Sequence, residues 1–226
     1  KKEIPYSFSV CQDCFEEISS GREKVDRLFN NTGVLPKVNI WAIPEAVGNG
    51  EDNSLFGRFL TSWENKLSLS ELGGIGERVE NQYFSRLAQA GQGLVFHFVF
   101  WEINNAQEII HLMVEDVPPE RLARLESVWQ GVTRDGFGWG KQMPLDFAIR
   151  SLYATLSNFA GKSEGDKGIF RDFALEIIGR MLQGELLPVK TFKSLIVPRL
   201  PRLVYESRPE DYRRAMHYAE IWIAYM

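Results

Sequence analysis

The stretch LVFHFVFWEINNAQEIIHLMVEDVPPERLARL, Leu94 to Leu125, decides the fold. Two runs rich in β-branched and aromatic residues, "LVFHFVFWEI" and "EIIHLMVEDV", flank "NNAQ", which is the pattern of an antiparallel hairpin. With Asn105 and Ala106 at the turn, paired positions sum to 211; this sets His111 opposite Phe100 on one face and His97 opposite Val114 on the other. The two histidines then point apart. Pro118 and Pro119 end the second strand, and "PERLARLESVWQG" opens a helix with Leu122, Leu125 and Trp129 on one side.

Toward the N-terminus, Phe15, Ile18, Val25, Leu28 and Phe29 recur at helical spacing, predicting a helix from about Asp13 to Asn30 that is broken or bent at Gly21. A strand from Ile4 to Val10 precedes it. A second strand, Val38 to Ile43, is ended by Pro44, and Leu55, Phe59, Leu60, Trp63 and Leu67 mark a helix from Ser54 to Leu72. Toward the C-terminus a Gly-rich loop, "GVTRDGFGWGKQMP", leads into helices at Leu145 to Phe159, Phe170 to Leu182, Thr191 to Val197, and from Pro209 to the end. The fold class is therefore α+β: a mixed region, residues 1–135, with a zinc-knuckle-like CxxC and the hairpin, followed by a mainly helical region, residues 136–226. Both ends read as cuts, one at a strand and one inside an apolar helix, so the chain is expected to be a piece of something longer.

Composition narrows the class. The 226 residues are 44% apolar and 25% charged, enough to bury a sizeable core. No apolar run approaches membrane-spanning length and no signal peptide is legible, so an intracellular, cytoplasmic protein without membrane contact is expected. The net charge of −4 hides a difference of sign: residues 1–130 carry 12 Lys and Arg against 19 Asp and Glu, and residues 131–226 carry 14 against 11. The second half is the better candidate for a polyanion. Within it, "VKTFKSLIVPRLPRLVYESRPEDYRR" places Lys190, Lys193, Arg199, Arg202, Arg208, Arg213 and Arg214 among only three acids, with Tyr205 and Phe192 available for packing or stacking. Lys141, in the Gly-rich loop, joins them as a candidate. A solvated helix face is the alternative for these charges.

Cys11 and Cys14 are the only cysteines, spaced as CxxC at a strand-to-helix junction. Structural zinc needs four ligands, and these supply two. His97 and His111 are the local donors that could complete the set, but the register separates them, and His217 lies in the helical part. The spacing therefore argues for a half-site completed by a CxxC upstream of Lys1, with metal-free core cysteines as the alternative. A thioredoxin-like role would need βαβ surroundings that the chain lacks. "GGIGE" follows no strand, and "DGFGWGKQ" has Asp135 and Gln142 where a P-loop needs Gly and Ser or Thr. There is no GxSxG, no HExxH and no adjacent His-Asp pair, so no catalytic constellation is legible.

Taken in order, "CFEEISSGREKVDRLF", "VNIWAIPEAV", "FVFWEINNAQEIIHLMVEDVPPERLARL" and "IGRMLQGELLPVKTFKSLIVPRLPRL" resemble the large-subunit family of the CRISPR type I-B Cascade complex, the Csh family. The likeness runs from Val10 to Tyr225 and is strongest at "EDVPP" and "GRMLQGELLP". It implies a subunit without catalysis of its own. Such a subunit works with CRISPR RNA, target DNA and the other Cascade subunits, helps open the duplex and recruits a helicase-nuclease. It further implies that Cys11 and Cys14 are the second half of a zinc unit. Two rival readings stay open: a zinc- or thiol-dependent enzyme centred on the CxxC, and a protein-only interaction module presenting Phe137 and Trp139 as exposed aromatics.

Overall fold

A β-hairpin organises the molecule. The computed structural model describes residues 11–47, 53–72, 82–91, 93–140 and 143–226. The predicted strand from Ile4 to Val10 lies outside these. β3 (Leu94–Asn104) and β4 (Gln107–Val117) turn at Asn105 and Ala106, whose φ of 49° and 63° are both left-handed, as a two-residue turn matching the twist of the strands requires. From Asn104↔Gln107 to Trp101↔Ile110 the pairing follows the expected register.

Beyond that the expected pairing is corrected. The register slips at His111, so Phe100 pairs with Leu112 and Phe98 with Val114; a second slip pairs Phe96 with Val117. Without these slips, His111, Met113 and Glu115 would meet the three phenylalanines. With them, Leu112, Val114 and Val117 do, so burial of an apolar face dictates both bulges. Asp116 takes up the second with a φ of 56°, and its N–H reaches Nδ1 of His97 at 3.5 Å. The two histidines do face apart: His97 Nε2 lies 2.7 Å from Glu45 Oε2, whereas His111 Nε2 lies 3.4 Å from Glu102 Oε1.

β1 (Asn30–Leu35), which the sequence did not reveal, and β2 (Val38–Ala46) complete an antiparallel sheet of order β1-β2-β3-β4. β2 runs through Pro44 rather than ending there. β1 pairs with it no further than Trp41, so from that point β2 has no strand partner on that side among the described residues, and a missing N–H costs no ladder bond to them. Ile40, Ala42, Phe96, Phe98 and Phe100 are wholly buried on one face, each large side chain contributing roughly 1.5–3 kcal/mol.

Helices cover that face. α1 (Gln12–Leu28) passes Gly21 without a break and lies on the other face, with Arg22 over the Trp41 ring and Asp26 accepting from its indole N–H, while α2 (Asn53–Leu72) brings Trp63 against Phe29 on the buried side. α3 (Tyr83–Leu87) is short and is capped from a distance: the buried carboxylate of Asp146 accepts from the N–H groups of Phe84 and Ser85 at 3.0 and 3.2 Å. Burial pushes the Asp146 carboxyl up to about 6, against the opposing pull of those N–H donors. α4 (Pro119–Gly131) starts at Pro119 as expected and buries Leu122 and Trp129. It does not give way to a loop at once; a π-turn, Val132–Gly136, prolongs it.

α5 (Leu145–Phe159) matches its prediction, and α6 (Glu164–Gln183) starts earlier than expected because Ser163 caps it, accepting from Asp166 N–H at 3.2 Å. α6 packs on β4 through Gly179, where a Cβ would come within 3.2 Å of Leu112. α7 (Val189–Ile196), a 3-10 turn, α8 (Leu200–Glu206) and α9 (Pro209–Tyr225) follow. α8 is an addition to the predicted helices, its Pro201 sitting in the first turn where a proline is tolerated. The buried core includes Phe98 and Trp129 on one side of residue 135 and Ile178 and Trp222 on the other, in one continuous cluster.

Candidate nucleic-acid interface

α5 buries Leu145, Ile149, Leu152, Leu156 and Phe159, which leaves Arg150, Ala154 and Asn158, four residues apart, on another stripe. α9 buries Ala215, Ala219 and Trp222, leaving Asp211, Arg214 and Tyr218 on a stripe beside them. The two stripes line a cleft of about 720 Å³, closed by Phe147 and by the α8–α9 connection at Glu206, Ser207 and Arg208.

Three guanidinium groups therefore border one space. Arg150 donates to the Gly33 carbonyl at 2.6 Å, a contact that orients the head. The Arg208 side chain makes no hydrogen bond or ion pair with the described residues, and Arg214 pairs with Asp211 one helical turn earlier. Glu206, the other acid at the cleft, lies 3.9 Å from Lys162. Arg208 also stands at the N-cap of α9 without a side-chain cap, ahead of a first turn that carries Glu210 and Asp211. Tyr218 packs on Trp139 with ring centroids 5.9 Å apart and on Phe147 at 6.4 Å.

The cations of the basic segment are not brought together. Arg199 is built into the fold: its two terminal nitrogens meet the Asp166 carboxylate at 2.7 and 2.6 Å, and its head lies 5.4 Å over the Phe170 ring. The guanidinium, helped by the Gly161 N–H, holds Asp166 below the usual carboxylate range. Arg202 donates to the carbonyls of Phe159 and Ala160 at 2.9 and 2.7 Å, closing the C-terminus of α5. Lys190, Lys193 and Arg213 are exposed. Lys141 lies outside the described residues. Arg150 was missed in the sequence; its only signal was being the single cation of α5. Phe137 and Trp139 are not the exposed aromatics expected: both are half-buried, their rings 5.5 and 6.1 Å from that of His217.

Cys11 caps α1, its Sγ accepting from the Cys14 N–H at 3.3 Å. Both cysteines are exposed, so they are not core cysteines. The hydrogen bonding between them holds the Cys11 thiol below its ordinary value and Cys14 above it. No group of three or more His, Cys, Asp or Glu suited to a metal forms among the described residues. Two thiols on one helical turn fit half of a tetrahedral zinc site and no more.

A family model described as CRISPR-associated protein TM1802, central domain, matches residues 1–117, from the N-terminus to the last residue of β4. The chain belongs to this CRISPR-associated family. No curated protein and no solved structure matches it. The TM1802 match takes in the cysteine pair and the whole sheet, while the cleft between α5 and α9 lies beyond it. No helix among the described residues of this CRISPR-associated chain is long and apolar enough to cross a membrane.

Proposed function

We propose that this chain is the non-catalytic large subunit of a CRISPR RNA-guided DNA surveillance complex of the type I-B Cascade class, acting in the cytoplasm in antiviral defence. It contributes to target DNA binding, stabilises the opened duplex and recruits the helicase-nuclease. Membership of a CRISPR-associated family carries this reading. In such a complex base pairing supplies sequence recognition, so the protein needs shape and cations rather than a catalytic site. Lys190, Lys193, Arg208, Arg213 and Arg214 provide exposed cations in the half of the chain with a basic excess. Cys11 and Cys14 hold a structural zinc together with ligands from outside the described residues, and the metal would fix the start of α1.

The test is co-purification of the tagged protein with the products of neighbouring genes, followed by nucleic-acid extraction and metal analysis. Small RNA of uniform length, with about one zinc per chain, is the expected result. A protein that emerges alone and free of RNA would end the subunit reading. Cys11→Ser separates the zinc role from the thiol-enzyme alternative, since loss of a structural ligand lowers the thermal midpoint rather than removing an activity.

A further inference from the structure

We infer that the cleft between α5 and α9 holds one unpaired nucleotide of a single strand, its phosphate on Arg208 and Arg214 and its base against Tyr218. The inference rests on the reading of this chain as a nucleic-acid-handling subunit and deepens it to a site and a substrate class.

Size comes first. About 720 Å³ is the volume of a small-ligand site, ample for one nucleotide. Charge comes next. Arg150, Arg208 and Arg214 line the cleft against Glu206 and Asp211, and the two acids already have cationic neighbours in Lys162 and Arg214. Arg208 is the cation whose side chain has no partner among the described residues. A phosphate there meets an unspent guanidinium and can share Arg214 with Asp211, an exposed pair that gives way easily.

The aromatic wall selects the strand. Tyr218 is backed by Trp139 and Phe147, so its ring is held in place rather than free to swing, which lowers the entropy cost of stacking a base on it. In a duplex the base faces are already stacked on their neighbours and offer nothing to such a ring. Ser207, whose hydroxyl makes no hydrogen bond to the described residues, and Asn158 supply neutral groups for the sugar. An acidic peptide could use the arginines but would leave the ring idle.

The experiment uses the full chain and fluorescence anisotropy with end-labelled oligo-dT and oligo-U of about ten nucleotides, and a duplex of the same length, at low salt. Arg208→Glu with Arg214→Glu is expected to weaken single-strand binding by at least about tenfold and to reduce the salt slope by about two. Tyr218→Leu is expected to weaken it about tenfold with an unchanged slope, and Tyr218→Phe, which keeps the ring and the packing, to leave it intact. The arginines are exposed, so an unshifted melting curve accompanies the double variant. A DNA or an RNA preference identifies the source of the strand and supports the site in either case. Unchanged affinity in the double variant, a duplex bound as tightly as the single strand, or displacement by polyglutamate at equal charge overturns it. An RNA-loaded complex with unchanged single-strand affinity in the variant would remove the cleft and leave the subunit reading standing; absence of RNA would remove the subunit reading while the anisotropy still decides the cleft.

Discussion

Arg199 and Arg208 belong to the same basic segment, yet one closes a corner of the fold and the other stands alone at the edge of a cleft. Arg199 is held by a two-pronged contact with Asp166 and by the Phe170 ring, and nearby Arg202 ties down the last carbonyls of α5. Arg208 has no such bond to the described residues. A cation already satisfied by the protein has little left for a ligand; an unsatisfied one keeps its full field for whatever arrives. Counting charges along a segment cannot separate the two.

Reversing Arg199 to Glu should break the comparison most visibly. It sets a second carboxylate against Asp166 and should lower the thermal midpoint by about 10 °C in a calorimetric scan; a shift under about 1 °C would show that the corner is not built as described. Asp146 gives the next largest effect, and it depends on pH. Its folded value of about 6 lies above the ordinary aspartate value of 3.8, so the native state holds the proton more tightly. Stability contributed by this group is therefore greatest at low pH and is lost as pH rises from about 4 to about 6, by up to about 3 kcal/mol. Urea titrations of the wild type and Asp146→Asn at the two ends of that window should differ in this slope, and parallel curves would refute the assignment.

Arg202→Ala should cost about 2 kcal/mol in the same titration, because two helix-terminal carbonyls lose their donor. Smallest of all should be Arg208→Glu and Arg213→Glu, each within about 0.5 kcal/mol of the wild type, as expected for exposed side chains without partners among the described residues. A large loss at either position would mean that the cleft edge is also structural.

Much of the fold could be read from residue patterns because its decisive signals are local. The Asn105–Ala106 turn and the α5 and α9 periodicities need no knowledge of distant contacts. Where local signals misled, a distant partner decided. Pro44 stays in its strand because β1 stops short of it, and His111 bulges because three phenylalanines across the ladder demand apolar partners. β1 hid behind the polar "NNTG", where the Asn31 side chain accepts from the Gly33 and Val34 N–H groups at 3.0 Å. The cleft was half legible: Arg208 and Arg214 stood out by charge, but Arg150 and Tyr218 acquire meaning only once α5 and α9 lie side by side.

The contact between Tyr218 and Trp139 has a practical side. Trp139 also meets Trp129, whose ring centroid lies 5.1 Å from that of Trp222, so the cleft wall is wired to a chain of three indoles. Any ring laid on Tyr218 disturbs the electronic surroundings of that chain. The protein thus carries its own optical probe, and occupancy of the cleft can be followed by ultraviolet emission without attaching a dye.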